Sequence, residues 1–102
     1  MRAVFRTFDD FAQLDRGSWL ALLRTVEQDR LALALVGANA AVRARVFQNM
    51  AETAARTLRE AMQDFASSSY RDVDGAQGAI LAKANQLHEL GLVKAPAAKL
   101  TG

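Results

Sequence analysis

Cysteine is absent from this sequence, and histidine occurs once, at His88. Without thiols there is no disulfide framework and no thiolate metal site, and a reducing compartment is permitted. A lone imidazole cannot pair with a second on a metal, so the chain is expected to take no metal and no cofactor. Proline also occurs once, at Pro96, which leaves almost nothing to interrupt a helix. No apolar run approaches the ~20 residues that cross a bilayer. The N-terminal residues lack the long apolar core of a secretory signal, so the chain is expected to stay inside the cell. Charge of one sign is scarcely in excess: 13 basic residues face 11 acidic ones, for a net charge of +2. A nucleic-acid binder gathers Lys and Arg on one face to neutralise several phosphates. Here Arg43 with Arg45, and Arg56 with Arg59, are the closest basic groupings, and both read as solvated helix surface.

What remains is a chain of 102 residues, 51% of them apolar, long enough for one hydrophobic core without staples. Alanine and leucine dominate and favour helix almost throughout. The first segment, 7–13, sets Phe8 and Phe11 three apart and places Asp9 and Asp10 where acids suit a helix start. Asp15 reads as the N-cap of a second helix carrying Trp19, Leu22, Leu23 and Val26 on one stripe. After a break at 27–28, the third segment, 29–36, is apolar nearly all round (Leu31, Leu33, Leu35), so it is expected to be the most buried. Gly37 fits the position just past its end, where φ is usually positive. Asn39 caps a fourth helix with Val42, Val46, Phe47 and Met50 inward, and Asn49 ends it.

The fifth helix, 52–65, turns Ala54, Ala55, Leu58, Met62 and Phe65 inward. Its outer face carries Glu52, Arg56, Glu60 and Asp64 at steps of four, together with Arg59. Three serines at 67–69 read as a loop. A last helix, 72–90, buries Val73, Ile80, Leu81, Ala84 and Leu87, and Gly91 terminates it. Gly75 and Gly78 near its start each cost about 1 kcal/mol relative to alanine, so that end is expected to fray or to pack closely. The reading is all-α: a single compact domain of six short helices over residues 1–93, then a disordered tail over 94–102.

The constellations that catalysis requires are missing. There is no phosphate-binding G-x-x-x-x-G-K-[ST] loop, no G-x-G-x-x-G after a strand and no G-x-S-x-G elbow. Asp72-x-Asp74-Gly75 faintly resembles a calcium loop, but the other ligand positions and the closing glutamate do not follow. Asp9 and Asp10, being adjacent, point about 100° apart on a helix and cannot converge as a carboxylate pair. His88 sits near a helix C-terminus, where an imidazolium is mildly favoured by the dipole. The chain is expected not to be an enzyme but to work by contact with other proteins.

The runs Leu31-Ala-Leu-Ala-Leu-Val-Gly-Ala38, Val46-Phe-Gln-Asn-Met50, Ala54-Ala55 with Leu58-Arg59, and Val73 to Gln77 followed by Ile80-Leu81 carry a resemblance. From Phe5 to about Val93, without a gap, they are similar to the C-terminal domain of the flagellar motor switch protein FliG. Phe5 and Phe8 fall where that family carries its Met-Phe-x-Phe hinge. The resemblance implies an armadillo-like helical fold in the cytoplasmic switch ring, peripheral to the inner membrane at the flagellar basal body. It implies a charged helix presented to the cytoplasmic loop of a MotA-like stator, contact with other switch-ring proteins and assembly into a ring; no nucleic acid is expected, given the thin spread of basic residues. The family's charged helix corresponds to the fifth helix here, so Arg56, Arg59, Glu60 and Asp64 are the candidate partner-binding residues and Phe5 and Phe8 the hinge-like ones.

The chain departs from the family at the positions used for stator contact. The lysine before Gly37 is Val36, the arginine early in the fifth helix is Thr53, the paired acids are Glu60 and Ala61, and the loop arginine is Ser69. Two readings follow. The charges have moved to Arg56, Arg59, Glu60 and Asp64 and the torque role is kept, or the domain is a FliG-like docking module without a torque role.

Overall fold

A computed structural model of the chain describes residues 3–95. Among these residues there are six helices and no strand. A 3-10 helix at Phe8–Gln13 is followed by α1 (Arg16–Thr25), α2 (Gln28–Val36), α3 (Ala40–Gln48), α4 (Glu52–Asp64) and α5 (Tyr70–Glu89).

Short polar side chains start three of the α-helices by accepting an otherwise unpaired backbone N–H. Asp15 accepts from Ser18 N at 2.8 Å, Asn39 from Val42 N at 2.9 Å, and Ser69 from Asp72 N at 3.1 Å. The first of these bonds holds the Asp15 carboxyl below the usual carboxylate range. Asp10 secures the entry to the 3-10 helix, its Oδ2 accepting from Arg6 N at 2.8 Å and Thr7 N at 3.2 Å. Asp9 acts between elements instead. It accepts from Asn39 Nδ2 at 2.8 Å and so ties the 3-10 helix to the start of α3. At the other end of the molecule Gly91, with φ of 80°, closes α5. Gly91 N bonds to His88 O at 3.0 Å and Leu92 N to Leu87 O at 2.9 Å, the paired bonds of a Schellman motif.

The core has an aromatic end and an aliphatic one. Phe11 is fully buried, with the rings of Phe8, Phe5 and Trp19 around it at centroid distances of 5.1, 5.3 and 5.9 Å. These tilted and edge-on contacts are the favoured arrangement of ring quadrupoles. The aliphatic end is α2, which lies against α5 and α4 through Leu31, Ala32, Ala34 and Leu35.

Several expectations are corrected. Leu33 is only half-buried, because the face of α2 toward α4 and α5 is formed by the alanines beside Leu31 and Leu35. Ala54 is exposed and Leu81 half-buried, while Ala76, outside the expected stripe of α5, is buried. Helix α5 starts at Tyr70, two residues earlier than expected, since Ser69 caps it. It runs unbroken through Gly75 and Gly78, where a Cβ would meet nothing within 4 Å; neither glycine serves close packing. Gly37 has φ of −98°, not a positive value. Its lack of a side chain has another cause: a Cβ there would stand 2.6 Å from Val73 Cγ1 on α5. Asp72 and Asp74 lie within α5, so they form no calcium loop. Of the expected tail, Lys94 is held, its N–H donating to Ser18 Oγ at 2.8 Å; residues 96–102 lie outside the described residues.

Two sets of substitutions test this packing by urea unfolding. Leu35→Ala is expected to cost about 2–5 kcal/mol, as a fully buried truncation, and Leu33→Ala only about 1 kcal/mol, its side chain being half in water. Gly75→Ala and Gly78→Ala should each stabilise by about 0.5–1 kcal/mol through helix entropy. Gly37→Ala should destabilise by about 1–3 kcal/mol through overpacking against Val73.

Candidate functional site

Helix α4 is held by Ala55 and Leu58, both buried, with Ala61, Met62 and Phe65 half-buried along the same side. Arg56, Arg59, Glu60 and Asp64 are all exposed. At about 100° per residue they do not form one patch. Arg56 and Glu60 occupy the crest, and Asp64 falls toward one flank. Arg59 lies at the opposite edge, above α3, where its Cζ stands 4.3 Å from the centroid of the Phe47 ring. That stacking is a cation–π contact worth about 0.5–1 kcal/mol at an exposed site. Arg56 reaches back one turn to Glu52 at 3.9 Å, with both side chains largely in solvent, so the pair adds little to stability.

Phe5 and Phe8 are core residues, both buried in the aromatic cluster. The backbone at Phe5 is clamped to α5 by Asn85. Its Oδ1 accepts from Val4 N at 3.0 Å and Phe5 N at 2.9 Å, and its Nδ2 donates to Phe5 O and Leu81 O, each at 3.0 Å. Nothing in the spacing of Asn85 signals this role, because its partners at Val4 and Phe5 stand about eighty residues away in the chain. His88 lies alongside, its Nδ1 within 2.9 Å of Val93 O and its ring edge-on to Phe5. The carbonyl can only accept, so the proton is on Nδ1.

Arg43 and Arg45 are not the solvated pair that their spacing suggests. Arg43 Nε donates to Leu35 O at 2.9 Å and its Nη2 to Val36 O at 2.7 Å, capping the last turn of α2. Arg45 Nη2 donates to Leu14 O. Both guanidiniums donate to carbonyls, Arg43 at the end of α2 and Arg45 at Leu14, so the two do not stand together as one solvated basic patch. Phe47, read as core from its stripe, is instead half-exposed under Arg59. These are the residues that sequence reasoning missed, because each acts between separate segments of the chain rather than along one helix.

The positions where the family resemblance expects charge serve other ends. Ser69 caps α5, Val36 sits at the end of α2 beside Arg43, and Ala61 is half-buried on the inner side of α4. Thr53 is exposed, its carbonyl accepting from Thr57 Oγ1 at 3.0 Å. Among the described residues no group of three His, Cys, Asp or Glu side chains is placed to hold a metal, and no helix is long and apolar enough to cross a membrane.

The described residues form an all-helical domain in which one helix, α4, carries the exposed charged side chains of Arg56, Arg59, Glu60 and Asp64. A family model described as the FliG C-terminal domain matches residues 1–94. The flagellar motor switch protein FliG of Bradyrhizobium diazoefficiens is 41% identical over 85 residues, which is 83% of this chain and 26% of that relative. The FliG of Pseudomonas aeruginosa is 40% identical over 84 residues, 82% of this chain and 25% of the relative. A crystal structure of part of FliG from H. pylori superposes with a TM-score of 0.85 at 29% identity, covering 88% of this chain and 40% of that one. The chain belongs to the FliG C-terminal domain family. It spans about a quarter of the length of the curated relatives it matches.

The Asn85 clamp can be tested directly. Asn85→Ala should cost about 1–3 kcal/mol, since it leaves Val4 N, Phe5 N and Phe5 O without their partner. Amide exchange at Val4 and Phe5 should accelerate well beyond that of the α2 amides. Unchanged protection at these two amides would show that the aromatic packing alone holds the segment.

Proposed function

We propose that residues 1–93 form a motor-switch domain whose working face is α4. The observation that carries this reading is the division of labour on that helix in a member of the FliG family. Ala55 and Leu58 hold it to the core, and Arg56, Arg59, Glu60 and Asp64 stand in solvent with no structural duty large enough to explain them. The domain sits in a switch ring on the cytoplasmic side of the inner membrane, at the base of the flagellum. The charged face meets the cytoplasmic loop of a MotA-like stator, converting stator motion into torque and setting the direction of rotation. Catalysis has no part in this. The hinge-like role of Phe5 and Phe8 belongs to the same proposal, and any swing at that point has to open the Asn85 bonds.

Charge complementarity across such a contact governs encounter rate and orientation more than affinity. A motor can therefore move its charges along a helix and keep working. One observation favours the second reading, a FliG-like docking module without torque. Val36, Thr53, Ala61 and Ser69 are neutral where the family resemblance expects charge, and Ser69 has a capping role in its place.

Charge reversal separates the two. In the full native protein, Glu60→Lys should leave stability within about 0.5 kcal/mol of the parent, as surface changes do, and Arg59→Glu, alone or with it, should cost no more than about 1 kcal/mol through the lost stacking on Phe47. Swimming and stator-loop binding should fall, and a compensating reversal on the loop should restore part of both. Normal swimming in the double variant would remove α4 as the working face and leave the docking module as the better account.

A further inference from the structure

The edge of α4 above α3 is a different surface from its crest. Between the end of α2, the outer side of α3 and the last turns of α4 lies an open groove of about 460 Å³. Its apolar floor is Val36, Phe47, Met62 and Ala66, and the guanidiniums of Arg43 and Arg59 border it. No acidic side chain lines it. Glu60 and Asp64 lie about 100° and 140° round the helix from Arg59. The carbonyl end of α2 contributes roughly half a negative charge, which Arg43 outweighs, so with Arg59 the groove is net positive.

Both cations are held in position before any partner arrives. Arg43 is fixed by its bonds to Leu35 O and Val36 O, which engage only part of the donor set of its guanidinium. Arg59 is laid on Phe47 at 4.3 Å. A guanidinium stacked on a ring keeps its N–H edges available in the plane and loses little entropy when a carboxylate docks.

We infer that this groove binds a partner-protein segment presenting an Asp or Glu beside an apolar side chain. The carboxylate docks on Arg59 with Arg43 behind it, and the apolar side chain covers Met62 and Val36. The inference rests on α4 being the partner-facing element, and it moves the specific contact from the crest to the groove. Arg59 thereby serves a different purpose from Glu60, although they are adjacent in sequence.

A random-peptide phage library panned on the full chain tests this, followed by titration of the selected peptides into parent, Arg59→Gln and Glu60→Lys proteins. The expected peptides carry an acid next to an apolar residue and perturb the amides of Phe47, Met62 and Ala66. They should bind Arg59→Gln at least tenfold more weakly, bind Glu60→Lys no more weakly than the parent, and weaken as salt rises. Both variants should keep a cooperative melt, Arg59→Gln with at most a small downward shift from the lost stacking on Phe47, so that lost binding is not lost folding. Peptides weakened by Glu60→Lys but not by Arg59→Gln overturn the groove and leave the crest of α4 as the working face. Peptides indifferent to both variants overturn the groove and count against α4 altogether. Basic peptides, no enrichment, or a groove filled by a second copy, seen as a dimer that Arg59→Gln dissociates, likewise overturn it.

Discussion

The last turn of α2 is where the molecule is joined together. A helix leaves its final carbonyls unpaired, and burying them unpaired is costly. Here Ala34 O and Leu35 O keep backbone bonds from Gly37 N and Ala38 N, and all three last carbonyls take side-chain donors from other helices. Ala34 O accepts from Gln77 Nε2 of α5 at 3.0 Å, and Leu35 O and Val36 O accept from Arg43 of α3. The chain then leaves through Gly37, whose missing Cβ is the condition for Val73 to approach. Satisfying one helix end thus fixes the placement of α2, α3 and α5 together. The packing of Leu31 and Leu35 supplies the burial energy, and the carbonyl bonds supply the register.

The same joint shapes the proposed recognition surface. Arg43 reaches across to the end of α2 and places its charge beside Val36, where the groove begins. Phe47, one turn along α3, is left half-exposed because α4 turns Arg59 over it rather than a leucine. The charged face of this domain is therefore not a property of α4 alone. It is a crest on α4 and a groove whose cations are positioned by the way α2 ends.

Helix existence and capping are legible in the residues, since caps and glycine stops are local chemistry. Asp15, Asn39, Asn49 and Gly91 all stand where their types demand. The burial of Ala55, Leu58, Ile80 and Ala84 follows from period alone. The errors share a cause. Gly37 suggests a backbone reason by its position and has a packing one. Leu33 reads as inward because a short apolar helix offers no polar face to orient it. Arg43 and Arg45 read as solvated because their carbonyl partners, on other elements, cannot be read from spacing. For α4 the sequence displays all four charges, but whether neighbours such as Arg59 and Glu60 act together depends on what lies under each. Of these two, only Arg59 has an aromatic ring beneath it.

These residues separate stability from recognition unequally. Glu60 and Asp64 stand in solvent and add little to the fold, so evolution can reverse, move or neutralise them at little cost to the folded state. Thr53 and Ser69, where the family resemblance expects charge, are likewise exposed, and Ser69 caps α5. Arg43 is the opposite case: the guanidinium that faces the groove also closes α2, and losing it would take the donor from Val36 O and leave Leu35 O with only its backbone bond from Ala38 N. Arg59 falls between them, with a modest stacking contact and an exposed head. Variation in this surface should therefore be widest on the crest and narrowest at Arg43. A partner that must survive drift in the crest charges gains most by anchoring at the groove, where the cation is tied to the integrity of the fold.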